Sequence, residues 1–359
     1  MIADIETVDD TKTMPTPDPP QARLARLLSR YNASPMTGVL IVLAVLVILL
    51  SMTQRTFLTW PNITNIINSN SVLLLMAVGA TFVIIAGGID LSAAGALVTT
   101  GMLFGLCLSA GLGFWLSLLV LLLAGATIGT INAFLITKVK ISFLVVTLGA
   151  GTVWASVALV LNGGNSVSVF TAPGFNELSA FVNGSVFGIP YLLIFDVLVV
   201  AIASVVLRVT TYGRALFAVG SNAEAARLSG LNVDRVTAIV YVVASFMAGV
   251  GAAVLLGRLA SAPASADPNL FLNVIAAVLI GGTNVGVGGV GATIAGVAFL
   301  GVAQNGLTLS GVSPFWQGVI SGSILIVAVG IGGVRRRRIR AKSRKAEASG
   351  VEPSPAAVV

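Results

Sequence analysis

The chain has 359 residues, 56% hydrophobic and only 9% charged, with a mean hydropathy of +1.01. Soluble domains carry about 25% charged residues, so this composition excludes a solvated globular surface and supplies apolar residues for on the order of ten bilayer crossings. With 0 histidines, imidazole metal sites and Ser-His-Asp triads are excluded, and the net charge of +7 gathers at the C-terminal end rather than forming a nucleic-acid surface, so no nucleic-acid partner is expected.

Residues 1–34 read as a polar cytoplasmic tail, with Arg23, Arg26 and Arg30 near the first apolar run and a short interfacial helix expected over 21–30. Because the polar stretch precedes the apolar one, it is not expected to be a cleavable signal peptide. An all-α transmembrane domain is predicted over 35–334, followed by a basic cytoplasmic tail at 335–359. Its ten apolar segments fall at 36–52, 70–87, 91–110, 115–136, 143–162, 190–209, 236–256, 271–285, 290–309 and 315–334.

Taking the first segment from inside to outside assigns every later loop. Lys12, Arg23, Arg26, Arg30, Lys138, Lys140, Arg208, Arg214, Arg227, Arg235 and the cluster from Arg335 to Lys345 then lie inside. Only Arg55 and Arg258 lie outside. That split obeys the positive-inside rule, places both termini in the cytoplasm, and sets the C-terminal cluster against anionic lipid. Cys107 is the single cysteine, so no intrachain disulfide forms. No lysine stands in a phosphate-binding G-x-x-x-x-G-K-[ST] loop, so the chain carries no nucleotide site of that type.

The chain holds 40 glycines, most of them expected to let membrane helices approach closely. Two clusters stand apart: Gly87, Gly88, Asp90 and Ser92, and Gly281, Gly282, Thr283 and Asn284. Each places an Asx residue two positions after a Gly pair, as expected of a duplicated, broken-helix unit. Asp90 is positioned to cap the third membrane helix, with a coupling carboxylate as the functional alternative. Asp196 is expected just inside the outer interface, hydrated or paired with a polar neighbour. Among polar residues at membrane depth, Asn132, Thr147, Trp154, Gln304 and Asn305 are candidates to line a path for a neutral, hydroxyl-rich solute. Interhelical hydrogen bonding is the alternative.

Two loops are long. The outer one, 163–189, has room for a short helix or lid. In the inner one, 210–235, Asn222 is a candidate N-cap, 223–228 favour helix, and Gly230 is a helix stop. Such a helix can lie on the membrane surface or dock a cytoplasmic partner.

The segment from Gly213 to Gly230 resembles the coupling loop of ABC importer permeases, with Arg214, Asn222, Glu224, Ala225, Ala226, Arg227 and Gly230 in the corresponding positions. More narrowly, 87–92, 146–149, 276–283 and 311–317 resemble motifs of ribose-type monosaccharide permeases, over about residues 60–333. After Thr283, Asn284 and Val290 stand where that family often has a Ser and an Arg-containing turn, so a charge contact there is not carried over. The resemblance implies a type II-like permease fold of about ten helices and a second permease copy. It also implies an ABC ATPase subunit holding ATP and Mg, and an extracytoplasmic substrate-binding protein. It implies a non-catalytic import subunit for pentoses, hexoses or polyols in the bacterial inner membrane. A branched-chain amino acid permease and an ion-coupled secondary transporter using Asp90 and Asp196 are the competing readings.

Overall fold

The computed structural model describes residues 35–313, 316, 318–320 and 322–323; the two tails and most of the predicted segment at 315–334 lie outside the described residues. The chain forms helices α1 (Pro35–Thr53), α2 (Trp60–Ile85), α3 (Ala93–Ser109), α4 (Gly113–Thr137) and α5 (Phe143–Leu161). After α6 (Phe175–Asn183) come α7 (Tyr191–Val209), α8 (Thr211–Ser221), α9 (Ala223–Leu228), α10 (Val233–Leu259), α11 (Leu270–Gly281) and α12 (Val290–Leu309). Four two-residue strands join loops: β1 (Val167–Ser168) pairs antiparallel with β4 (Ser261–Ala262), and β2 (Ser185–Val186) with β3 (Ile189–Pro190).

Seven of these helices, α1, α2, α4, α5, α7, α10 and α12, are long and apolar enough to cross a membrane. The segments predicted at 91–110 and 271–285 are shorter, at 17 and 12 residues. At 1.5 Å per residue α11 spans about 18 Å, against a hydrocarbon core of about 30 Å. It stops at Gly281 because Gly282 turns left-handed, with φ +104. The opposite correction applies to α2, predicted from residue 70. Pro61 in its first turn lets the helix start at Trp60, because proline costs nothing where the N–H has no helical partner.

The core is organised around α10, which packs along α4, α2 and α3. Close approach explains the glycines of α4. A Cβ on Gly129 would lie 2.6 Å from the Tyr241 carbonyl oxygen, and one on Gly125 would lie 3.0 Å from that of Ser245. Two backbones packed this closely gain dispersion contact over their whole length, the small-xxx-small device of membrane helices. Around this seam Leu75, Met76, Leu97, Met102, Ala248 and Leu256 are buried. By contrast α1, α5 and α7 keep much of their apolar surface exposed, as lipid-facing helices do.

The two ends of the bundle differ. At one, here the turn end, lie the 86–92 and 282–289 turns together with α8 and α9. At the other lie the β1–β4 ladder, α6, and the contacts Arg258 Nη2 to Ser69 Oγ (3.0 Å) and Gln54 to Ser310 (3.3 Å).

Candidate functional site

Both Gly-Gly turns close with the same backbone device. Gly87 has φ +87; its N–H bonds the Ile84 carbonyl (3.0 Å) and that of Gly88 bonds Val83 (2.9 Å). Gly282 has φ +104; its N–H bonds Leu279 (3.1 Å) and that of Thr283 bonds Val278 (3.1 Å). This is the Schellman closure, which calls for glycine at its left-handed residue. Gly87 therefore corresponds to Gly282, one residue away from the pairing with Gly281 that the sequence pattern implies. Asp90 and Asn284 are consequently not equivalent.

Asp90 does not cap α3 in the expected way. Ser92 occupies the N-cap position, and its N–H (2.8 Å) and hydroxyl (2.5 Å) both donate to Asp90 Oδ1. Asn132 Nδ2 on α4 donates to Ser92 Oγ at 2.8 Å, extending an Asx turn into a buried chain across two helices. Asp90 Oδ2 and Asn132 Oδ1 are buried without a hydrogen-bond partner among the described residues. Thr147 on α5 joins the same loop through a 3.5 Å contact to the Ile89 carbonyl, although its stronger bond, 2.8 Å, goes to Phe143 of its own helix. Asn284 works through its backbone alone, exchanging bonds of 2.9 and 3.1 Å with Val287, while the buried Thr283 hydroxyl bridges to Gly289 at 3.1 Å.

The inner loop, expected to hold one helix, holds two. Thr210 caps α8 by accepting from the Gly213 N–H at 3.1 Å, and Leu216 and Val219 bury against Phe82, Ile85 and Val240. Tyr212 donates to the Val236 carbonyl (3.2 Å); burial pushes its phenol well above the usual range, so it stays a donor at physiological pH. At the end of α8 a Cβ on Gly220 would collide with the Ile85 carbonyl oxygen, and Gly286 donates to that same oxygen at 2.9 Å. Both Gly-Gly turns and the loop thus meet at one backbone joint.

From that joint α9 projects outward. Asn222 Oδ1 accepts from the N–H groups of Glu224 and Ala225, both at 3.0 Å, and Gly230 (φ +85) ends the element. Ala226 alone is buried; Glu224, Ala225, Arg227 and Leu228 are exposed, Leu228 by 85%. Arg214 turns back, its Nη1 donating to the Val209 carbonyl at 3.1 Å. Lys140 Nζ holds both oxygens of Asp234 at 2.7 Å, with Arg227 4.0 Å away on the other side.

The remaining path candidates are not brought together. Trp154 gives its backbone carbonyl to the Thr99 hydroxyl on the α3–α5 face. Asn305 is engaged with Asn62 by reciprocal amide bonds of 2.9 and 3.0 Å, and Gln304 lies beside it, half-buried. Asn62 lies 23 residues before Ile85 on α2, roughly 35 Å along the helix from the turn end. The sequence pattern gave no sign of several anchoring residues: Ser71, whose hydroxyl meets Asp196 Oδ1 at 2.8 Å; Gly220; Thr81 and Thr293, whose hydroxyls lie 2.6 Å apart. Their partners lie more than a hundred residues away in sequence, beyond the reach of local periodicity. Asp196 itself is 4% exposed and takes the second of the two surroundings expected for it, a polar neighbour, in Ser71.

A family model described as "Branched-chain amino acid transport system / permease component" matches residues 62–329, about three-quarters of the chain. The ribose import permease of Bacillus subtilis is 37% identical over 283 residues, covering 78% of this chain and 87% of that protein. That of Haemophilus influenzae is 32% identical over 291 residues, covering 80% and 90%. The L-arabinose ABC transporter permease of Azospirillum brasilense is 30% identical over 344 residues, covering 94% and 98%. No solved structure matches the chain. With seven membrane-length helices and these relatives, the chain belongs to the family of ribose-type ABC importer permeases, multi-pass proteins of the bacterial inner membrane.

Proposed function

We propose that the chain is the membrane-spanning subunit of an importer that passes a monosaccharide, a pentose, hexose or related polyol, delivered by an extracytoplasmic binding protein. The relatives named for ribose and L-arabinose support a sugar cargo over the branched-chain amino acids of the family description. Two copies pair, and separate ATPase chains hold ATP and Mg; this chain moves walls and makes no bonds. The turn end faces the cytoplasm, since Lys138, Lys140, Arg208, Arg214, Arg227 and Arg235 gather there, against Arg55 and Arg258 at the other end. In this reading the fold is type II-like with about ten membrane helices, and both termini are cytoplasmic.

One observation carries the mechanism: α9 is exposed at its tip and fixed at its base. A partner that grips Glu224, Arg227 and Leu228 pulls on Asn222, hence on Gly220, hence on both Gly-Gly turns and the helices they end. Purification from native membranes in mild detergent, with mass spectrometry of co-purifying chains, tests this. The expected result is an ATPase chain that is retained by the wild type and lost from Glu224→Lys, together with sugar uptake, while the permease stays folded. A permease that purifies alone even after crosslinking overturns the reading.

A further inference from the structure

Leu198, Ile202, Val205 and Val209 recur every three or four residues along α7 and are all more than half exposed, so they form one lipid-facing stripe. Arg208, exposed in the last turn, follows Val205 by three residues and stands on that same face. At 1.5 Å per residue the 19 residues of α7 span about 28 Å, close to the roughly 30 Å of a hydrocarbon core. The stripe therefore ends, at Arg208, at the level of the lipid headgroups. Arg214 of α8 joins it there. Its Nη1 donates to the Val209 carbonyl at 3.1 Å, and its other N–H groups, on an exposed side chain, meet no acceptor among the described residues. Neither arginine pairs with a carboxylate there, since both ion pairs among the described residues run to Asp234.

We infer that Arg208 and Arg214 together hold the phosphate of an anionic phospholipid in the cytoplasmic leaflet; the inference takes from the reading above only that the turn end faces the cytoplasm. A guanidinium fork matches phosphate oxygens in pairs, and two forks on adjoining helices can grip one phosphate from two sides. The acyl chains then lie along Val205, Ile202 and Leu198, directly above the arginines. A zwitterionic lipid would bring its own cation up against both of them, so a headgroup without an ammonium is favoured. A soluble anion would use the arginines but leave the stripe unused. An acidic protein segment would have to enter a face that the membrane covers. Arg214 is thereby turned towards the membrane rather than towards the partner of α9. Since α8 runs from Arg214 to Gly220 at the backbone joint, a lipid held at its start steadies the lever whose tip is α9.

The test places the complete importer (permease, ATPase and binding protein) in phosphatidylcholine vesicles with and without about one-third phosphatidylglycerol. Phosphatidylglycerol retained through purification is measured by mass spectrometry, and sugar uptake is compared between the two vesicles for each variant. Wild type is expected to retain the anionic lipid and to import severalfold faster with it. Arg208→Gln combined with Arg214→Gln should retain roughly twentyfold less, the loss of two basic contacts, and should no longer respond to it. If the double variant does not fold, Arg208→Gln alone carries the test, since it breaks no described hydrogen bond, with a loss of about fivefold. Lys138→Gln with Arg235→Gln removes the same charge from the same end and should keep both retention and response. Equal retention by wild type and the arginine variant overturns the inference, as does an equal loss in the Lys138 and Arg235 variant, the mark of unspecific surface charge. Inorganic phosphate that replaces phosphatidylglycerol in full overturns it too, by showing a site for free anions. Lipid retained by wild type and lost from the arginine variant, with no sugar uptake in either vesicle, supports the lipid site and overturns the importer reading instead.

Discussion

The two Gly-Gly turns share a backbone and differ in what they invest around it. Each ends its helix with a left-handed glycine and the same pair of hydrogen bonds. The first then recruits side chains: Asp90 to Ser92, and Ser92 to Asn132 on another helix. The second stays with main chain, Asn284 against Val287, and one hydroxyl, Thr283, bonding back to Gly289. The first turn is thereby tied into α4 and the α10 seam, while the second rests its backbone on neighbouring backbone, Gly286 on the Ile85 carbonyl at the end of α2 and against Ser221 of α8. One turn is held by side chains that reach across helices, and the other by backbone contacts and one hydroxyl. Strain applied by α9 therefore reaches a fixed element and a more yielding one at the same joint.

The largest expected effect comes from splitting that joint. Gly220→Ala sets a methyl group against the Ile85 carbonyl, a backbone atom that cannot swing aside, so the cost is expected at about 3 kcal/mol or more. Thermal denaturation in detergent should show it, and stimulation of the ATPase should fall even in the fraction that folds. Next comes the contrast between the turns. Asp90→Ala leaves the buried Ser92 N–H and hydroxyl without their acceptor and should cost about 1–3 kcal/mol; Asp90→Asn keeps an acceptor and should cost much less. Asn284→Ala, which removes a side chain the turn does not use, should stay within about 0.5 kcal/mol. Equal losses at Asp90 and Asn284 would show that the two turns are fastened alike.

Much of this architecture is legible in the sequence, because apolar runs of membrane length leave few alternatives. The Asn222 cap and the Gly230 stop are legible too, being local events that span two to eight residues. What escapes is set by distance and by register. Two adjacent glycines look interchangeable in a pattern, but only one can be the left-handed residue, and the helix hydrogen bonds decide which. Hence the Gly87–Gly281 pairing slipped by one, and Asn284 borrowed importance from Asp90. The path candidates lie apart for a different reason. Asn305 satisfies its half-buried amide on Asn62, 243 residues earlier, and an amide between packed membrane helices finds a partner wherever packing offers one. α8 was missed because its apolar face is short, with Leu216 and Val219 needing the ends of α2 and α10 to cover them.

The smallest effect probes the rim of the comparison. Lys140 adopts φ +64, a left-handed conformation that costs a non-glycine residue about 1 kcal/mol, and there reaches both oxygens of Asp234. The pair links the loop after α4, the helix that carries Asn132, to the start of α10, just behind α9. It is exposed, at 58% and 35% of the two side chains, so its attraction is screened and worth no more than about 1 kcal/mol. Lys140→Gly removes the pair and the backbone strain together, and the two terms should cancel to within about 0.5 kcal/mol. Lys140→Met keeps the strain and loses the pair, so it should be less stable than the wild type and than Lys140→Gly; its deficit against the wild type should shrink as salt rises from about 0.01 to about 1 M, while its deficit against Lys140→Gly should not change. If the deficit of Lys140→Met against the wild type stays the same at every salt concentration, the loop is held by something other than its charge; if Lys140→Gly proves the less stable of the two variants, the left-handed backbone at residue 140 is not a source of strain.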